Sequence, residues 1–259
     1  MRAHRFERAL DPEAGAVRLV ALNGSPHRDG NTATLLRWVV EGCLEAGARV
    51  DWVHLADHEI RYCRGCFACL RAGVCAIPDD LGTVRDALVS AEGLIVGSPV
   101  YGGQPTAQMK TLLDRLTLLA LYTRTFERHC SVGVVTSGVA PTGGVARGLA
   151  SFFGRRVGAI GAKTTTVASG YRPLAQAHDP RLPARARALG RRLARDSRSQ
   201  RRVLFPSPRE LWFQLLEACV IRPLVLRHPD DFAGVIDIWR REGRIPTQAN
   251  RRRRPLRGP

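Results

Sequence analysis

No stretch of the chain approaches the roughly 18 consecutive apolar residues that a membrane-spanning helix needs. The opening MRAHRFERALDPEAG is charged and has no apolar core of the kind a secretory leader carries, so a cytoplasmic protein is expected, with no membrane partner. Lysine is nearly absent. Lys110 and Lys163 are the two in a chain whose Lys and Arg together number 40, and neither lies near the first glycine loop. That loop is not G-x-x-x-x-G-K-[ST], so the lysine-assisted grip on a nucleoside triphosphate is excluded; it is not G-x-G-x-x-G either, which removes the dinucleotide fingerprint. Histidines are few and scattered, and nothing forms a Ser/His/Asp set or a pair of carboxylates suited to acid–base chemistry. Aromatics make up 6% and do not interleave with the arginines, so nucleic acid is not expected as a partner despite a net charge of +17. Two arginine-rich stretches, 181–202 and 251–259, supply +13 of that charge, which reads as one solvated helix face and one tail. No internal repeat is present.

What is there begins with Val17–Thr32, VRLVALNGSPHRDGNT. A short apolar run ends in a polar loop holding Gly24 and Gly30, and an amphipathic segment opens at Asn31. A strand, a glycine loop and a helix start together hold a phosphate: the first turn offers unpaired N–H groups and the positive end of the helix dipole. Ser25, Asn31 and Thr32 add neutral donors, which suits one monophosphate.

The rest alternates. Apolar runs at 17–22, 49–55, 93–97, 131–136 and 162–167 read as strands, and helical periodicity falls at 32–46, 106–121, around 149–153 and at 183–195. Asp79 and Asp80 sit where they would cap a helix starting at Leu81. Alternation of this kind implies βαβ units, and five strands suit an α/β three-layer sandwich of flavodoxin type, order 2-1-3-4-5, with ligands beyond the carboxyl ends of the strands. The expected organisation is a polar lead-in (1–16), a core domain (17–200) with a cysteine-bearing insertion (56–78), a helical C-terminal extension (201–246) and a basic tail (247–259).

Four of the seven cysteines fall close together, Cys63, Cys66, Cys69 and Cys75, spaced C-x2-C-x2-C-x5-C. Three at two-residue gaps suit three corners of an iron–sulfur cubane, as the opening of a bacterial ferredoxin run does. Four-thiolate zinc usually takes two separated C-x-x-C knuckles, and plain or redox-active thiols are the other reading. Cys43, Cys130 and Cys219 are isolated, as small packed residues are.

GSPHRDGNT resembles the phosphate loop of the flavodoxin-like NAD(P)H-dependent FMN reductases. SPVYGGQPTAQMKTLLDR, after the third strand, resembles that family's second flavin-contacting loop and the helix behind it. The cysteine spacing resembles the compact motif of the iron–sulfur flavoproteins, a branch of the same family. The resemblance covers about residues 17–200. It implies FMN held by Ser25, Pro26, Asn31 and Thr32 at the phosphate, by Pro99, Val100, Tyr101, Gly102 and Gly103 along the ring and ribityl chain, and by Ser137 and Gly138 at the third loop. It also implies a [4Fe–4S] cluster on the four cysteines. NAD(P)H would be the donor and a quinone, azo, nitro or similar small molecule the acceptor, in a homodimer or homotetramer. The alternative is an electron-transfer protein that serves a redox partner and has no substrate of its own. No side chain is assigned a catalytic role, because the flavin carries the chemistry.

Overall fold

The computed structural model describes residues 15–138, 142–164, 166–167, 170–171, 174, 179–199 and 208–246. The expected lead-in lies almost entirely outside these residues, and the tail wholly so. The chain forms two compact units. One comprises residues 1–62, 79–114 and 126–202; the other gathers 63–78, 115–125 and 203–259.

The first unit is built on a parallel sheet. Its strands are β1 (Arg18–Asn23), β2 (Arg49–His54), β3 (Gly93–Tyr101), β5 (Cys130–Ser137) and β6 (Arg155–Lys163), in the order β2-β1-β3-β5-β6. A sixth, two-residue strand, β4 (Gln104–Pro105), pairs antiparallel with the end of β3. A two-stranded piece, β7 (Thr166–Val167) with β8 (Gly170–Tyr171), lies off the sheet. The five long strands have the expected flavodoxin-like order. The central strands β1, β3 and β5 are almost wholly buried, and this is why they read as continuous apolar runs.

The helices of this unit are α1 (Asn31–Glu45), α3 (Leu81–Val89), the first half of α4 (Ala107–Thr123), α5 (Gly143–Phe152) and α6 (Leu182–Ser199); α2 belongs to the second unit. The chain moves one way from β1 to β2 and the other way from β2 through β6. Right-handed crossovers therefore put α1 on one face and α3, α4 and α5 on the other. The alternation of glycine contacts along the strands agrees. A Cβ on Gly97 would strike Leu36 of α1, and one on Gly133 would strike the Ala146 carbonyl of α5. α6 returns to the α1 face, where its Leu182, Ala186, Leu193 and Ala194 join one core with Leu35, Leu36, Val39 and Val40.

Two expectations need correction. The last long strand is Arg155–Lys163, not 162–167. It is an edge strand that buries only Val157, Ile160 and Ala162, and Gly158 and Gly161 weaken its apolar signal. A Cβ at 161 would overlap Thr142, and one at 158 would push aside the end of the Leu189 side chain. Asp80 does not cap α3 with its side chain. Its carboxylate accepts the Glu59 N–H, and Asp79 accepts the Leu81 N–H instead.

The arginine run 181–198 is the solvent side of α6, laced to α1 by Arg187–Glu41 and Arg191–Glu45. Such exposed pairs contribute about 0–1 kcal/mol each. The α1–α6 seam rests instead on glycine. A Cβ at Gly190 would lie 1.9 Å from the Val39 carbonyl oxygen, and one at Gly42 would lie 2.0 Å from that of Arg187.

In the second unit, α2 (Ala68–Ala72), the end of α4, α7 (Pro208–Leu216), a π turn (Glu217–Ile221), α8 (Arg222–Arg227) and α9 (Ala233–Arg241) enclose their own core. Leu70, Ile221, Val225, Phe232, Val235, Ile236 and Trp239 fill it, with Leu118 and Tyr122 against them. The Trp239 indole N–H donates to the Tyr122 carbonyl at 2.9 Å.

Gly190→Ala tests the α1–α6 seam. Alanine gains about 1 kcal/mol of helix propensity, but the overlap with Val39 costs about 1–3 kcal/mol. The expected outcome in scanning calorimetry is a Tm several degrees lower, whereas an Ala substitution at the exposed Gly148 should raise Tm or leave it unchanged.

Candidate functional site

Loops at the carboxyl ends of β1, β3 and β5 come together at one edge of the sheet. The first is tied at its root. Gly24 N–H donates to the Gly97 carbonyl at 2.7 Å, across from β1 to β3. The Gly24 carbonyl accepts the Thr106 hydroxyl at 2.6 Å and the Gln108 amide at 2.9 Å. A Cβ at position 24 would lie 2.6 Å from the end of the Met109 side chain and 3.0 Å from the Gly97 carbonyl oxygen, so a larger residue there would have to displace Met109. Asn23, at the last position of β1, accepts the Ser25 N–H on its Oδ1 at 3.0 Å, and its amide lies 3.3 Å from Nδ1 of His54. The Ser25 hydroxyl oxygen in turn accepts the His27 N–H at 3.1 Å. This chain of turns curls the loop back over the start of α1.

The start of α1 is unusual. Its N-cap is Gly30, no side chain caps it, and no acidic residue stands in its first turn. A 15-residue helix thus meets the loop with its first N–H groups uncapped by any side chain and its dipole uncompensated, the arrangement that binds an anion. Ser25 and Thr32 are buried beside it, whereas Pro26 and His27 are exposed. The Thr32 hydroxyl meets that of Thr136 at 2.7 Å, joining the first loop to β5, and Asn31 Oδ1 accepts the Leu174 N–H at 2.7 Å. Asn31 and Thr32 therefore tie the start of α1 to β5 and to Leu174.

The second loop is a hairpin. Val100–Tyr101 pairs with Gln104–Pro105, and Gly102 and Gly103 between them both have positive φ, 56° and 79°. Two positive values in a two-residue turn are the type I′ geometry that glycine permits. A Cβ at either glycine would meet nothing within 4 Å, so the turn demands these residues and leaves open space beside them. The Ser98 hydroxyl accepts the Thr106 N–H at 3.0 Å and donates to the Pro99 carbonyl at 2.8 Å, which fixes the strand end. Pro99 is half-buried, Val100 is buried and Tyr101 is 48% exposed. In the third loop Ser137 is buried and its carbonyl accepts the Thr164 N–H at 2.7 Å. Gly138 is the last described residue before 142. Lys110 and Asp114, one turn apart on α4, pair at 2.5 Å on the surface.

These residues fit an FMN phosphate and a flat ring: neutral donors, an uncapped helix start and glycines with free space. The residues that sequence reasoning missed are those that brace the loops, Asn23, Ser98, Thr106, Gln108 and Thr136. The available signal was a polar residue closing an apolar strand, as Asn23 and Thr136 do.

The four clustered cysteines all lie in the second unit, around α2. The turn before α2 takes left-handed backbone at Gly65 (φ 63°) and Phe67 (φ 57°), and Gly73 (φ 74°) closes the helix. All four thiols are free; Cys63 and Cys66 are exposed, and Cys69 and Cys75 half-buried. Burial first, and then the charges of Cys75, Cys63 and Cys66, push the Cys69 thiol above the usual cysteine range. The Cys69 thiol thus lies within electrostatic reach of the other three. Among the described residues no group of three His, Cys, Asp or Glu side chains stands close enough to hold a metal ion. Four free thiols gathered around one short helix are the donor type that an iron–sulfur cluster takes. Helix α9 braces this segment from within the unit: a Cβ at Gly234 would lie 2.0 Å from the Gly73 nitrogen.

The other cysteines divide. Burial lifts Cys43 to about 12, and burial raises Cys130 against the lowering effect of Arg155, so both are packed thiols. Cys219 is exposed, contrary to the expectation of a packed residue.

The profile of the NADPH-dependent FMN reductase family matches residues 17–178. The chain belongs to that family. Among curated proteins it is 38% identical over 99 residues to an iron–sulfur flavoprotein of Methanocaldococcus jannaschii, covering 38% of this chain and 51% of that one. It is 35% identical over 123 residues to one of Archaeoglobus fulgidus, covering 48% and 60%. The chain thus spans about half to three fifths of the length of these relatives. Among solved structures, RosB with bound 8-demethyl-8-formylriboflavin-5'-phosphate superposes with a TM-score of 0.59 at 15% identity, over 78% of this chain and 87% of that one. A flavone reductase superposes at 0.51 and 16%, over 73% and 66%. At such identity these two speak for the fold alone.

Two variants test the loops and the cysteine segment. Ser25→Ala with Asn31→Ala should weaken FMN binding by at least tenfold in a fluorescence titration, about 1.4 kcal/mol, with far-UV circular dichroism preserved. Unchanged affinity would remove both residues from the phosphate site. Gly234→Val should separate α9 from α2 and lower Tm by several degrees, through overlap worth about 1–3 kcal/mol.

Proposed function

We propose that this FMN reductase family member takes electrons from NAD(P)H and delivers them to a small acceptor such as a quinone, azo or nitro compound. In this reading FMN sits at the three loops, and a [4Fe–4S] cluster sits on Cys63, Cys66, Cys69 and Cys75. The observation that carries it is the uncapped start of α1 beneath the Ser25–Gly30 loop, faced by the open hairpin at Gly102–Gly103. Bound FMN would supply two-electron acceptance and one-electron release. The residues of this chain would supply the rest. Loop N–H groups with Ser25 and Asn31 would neutralise the phosphate. Val100 and Pro99 would present an apolar wall to the ring. Tyr101, half-exposed, would cover the ring from the solvent side.

A second reading, an electron-transfer protein serving a redox partner, draws on one observation. Cys63, Cys66 and Phe67 are exposed, as a surface that exchanges electrons with another protein would be. A cytoplasmic location is part of the proposal; among the described residues no helix is long and apolar enough to cross a membrane.

The deciding measurement is an absorption spectrum of anaerobically purified protein with iron and acid-labile sulfide assayed on the same sample. Flavin bands over a broad brown shoulder, with about four iron per chain, are expected, and Cys66→Ser should lose the iron while keeping the flavin. A clean yellow spectrum without iron would leave an FMN reductase with free thiols. Steady NAD(P)H oxidation with a quinone by the isolated protein would decide for the enzyme over the carrier.

A further inference from the structure

Asn23 closes β1, and the register of the sheet sets it directly beside His54, the last residue of β2. Both side chains are buried, Asn23 completely. The Asn23 amide has two unlike ends, and each has a partner. Its Oδ1 accepts the Ser25 N–H at 3.0 Å, which leaves its NH2 group facing Nδ1 of His54 at 3.3 Å. The Ser25 N–H needs an acceptor, so this orientation of the amide follows from the network. An NH2 group donates and does not accept. Nδ1 is therefore the bare nitrogen of a neutral imidazole, and the ring's proton sits on Nε2. Trp52, stacked on the imidazole with centroids 5.4 Å and planes 6° apart, holds the ring in that plane.

This arrangement makes the first loop sensitive to one proton. If Nδ1 gains a proton, two buried donors face each other, a pairing that low local polarity makes costly. Turning the amide over relieves that clash by placing Oδ1 on the new Nδ1–H. It also places the NH2 group against the Ser25 N–H, which then has no acceptor. The next turn of the loop depends on Ser25 as well, because the Ser25 hydroxyl oxygen accepts the His27 N–H. The charged groups on the surrounding elements have other partners. Arg28 of the loop pairs with Asp57 of the short turn Leu55–Asp57, and Asp29 pairs with Arg37 of α1. His58 Nδ1 lies 4.0 Å from an Asp80 carboxylate oxygen, and His27 is exposed.

We propose that His54 is a positioning residue for the flavin phosphate. Neutral, it fixes the Asn23 amide so that the loop keeps its shape; protonated, it releases the loop and weakens FMN binding. This role depends on the FMN phosphate lying at the first loop, as read above. Its sign is opposite to that of plain charge. An imidazolium close to the loop would by itself attract a phosphate and tighten binding in acid. Acting through Asn23, the same proton loosens it. His54 touches the loop only through Asn23, so the effect travels by the direction of one hydrogen bond and not by contact with the ligand.

The test follows FMN release from the full-length holoprotein on dilution, read by flavin fluorescence, at about pH 7.5 and about pH 5.5, on either side of the ordinary histidine range. The phosphate itself titrates at about pH 6, but all variants share that effect and it cancels between them. His54→Asn presents a carbonyl to the Asn23 NH2 group and never gains a proton. Between the two pH values the wild type should lose about fivefold more affinity than His54→Asn, roughly the worth of one hydrogen bond. A ring that only filled space would change affinity equally at both. Asn23→Asp should reverse the trend, since a carboxylate accepts from Ser25 N–H and from Nδ1–H alike. Magnetic resonance of the full-length wild type with isotopically labelled histidine needs no variant: at the upper pH His54 should show a bare Nδ1, and the Ser25 amide should follow the His54 titration. A protonated Nδ1 at the upper pH, a Ser25 amide indifferent to His54, or a wild type that matches His54→Asn or binds tighter in acid would overturn the proposal. The Ser25→Ala, Asn31→Ala pair tells two failures apart. If it leaves affinity unchanged, the phosphate lies elsewhere and the role of His54 falls with that reading. If it weakens binding while His54→Asn matches the wild type, the role of His54 falls alone.

Discussion

The backbone of Gly24 holds the site together. Its N–H reaches the Gly97 carbonyl and its carbonyl takes the Thr106 hydroxyl and the Gln108 amide. The phosphate loop, the end of β3 and the start of α4 are thereby joined at one residue. These bonds are buried, where an unmade partner costs about 1–3 kcal/mol, so the loops cannot separate without leaving polar groups unpaired. The helix start beneath them can then remain uncapped, an arrangement that would otherwise waste about 0.5–2 kcal/mol of helix stability. The uncapped helix start is held open by bonds made within the chain itself.

The second unit follows a different logic. Its core is small, and it draws on three separated stretches of chain: the cysteine segment, the end of α4 and the C-terminal helices. The left-handed residues around α2 shape a loop in which the Cys69 thiol feels the other three, and the contact of Gly234 with Gly73 sets how near α9 comes. The extension that looked like an appendage in the sequence is therefore what packs the cysteine segment.

Charge plays a lesser part than the formal +17 suggests. The arginines of α6 lie on its solvent face and pair with Glu41 and Glu45 of α1, while the helix contact itself is backbone against backbone at Gly42 and Gly190. Close approach of this kind depends on the absence of a side chain.

The sequence by itself determined the parts whose signal is local. β1, β3 and β5 are apolar because both their faces are covered, α1 and α6 carry their burial in their periodicity, and the glycine loop announces the helix start it serves. Tertiary structure decided what depends on residues distant in the chain. It moved the last long strand to Arg155–Lys163, because that edge strand buries only three of its nine residues and its glycines answer to α6 and Thr142. It gave the N-terminal bond of α3 to Asp79, because Glu59 claims Asp80. It assigned the bracing of the loops to Asn23, Thr106 and Thr136, left Cys219 exposed, and joined the cysteines to the C-terminal helices. Periodicity and capping are written within a few turns of chain, whereas a partner 20 or 200 residues away leaves no mark on the local pattern.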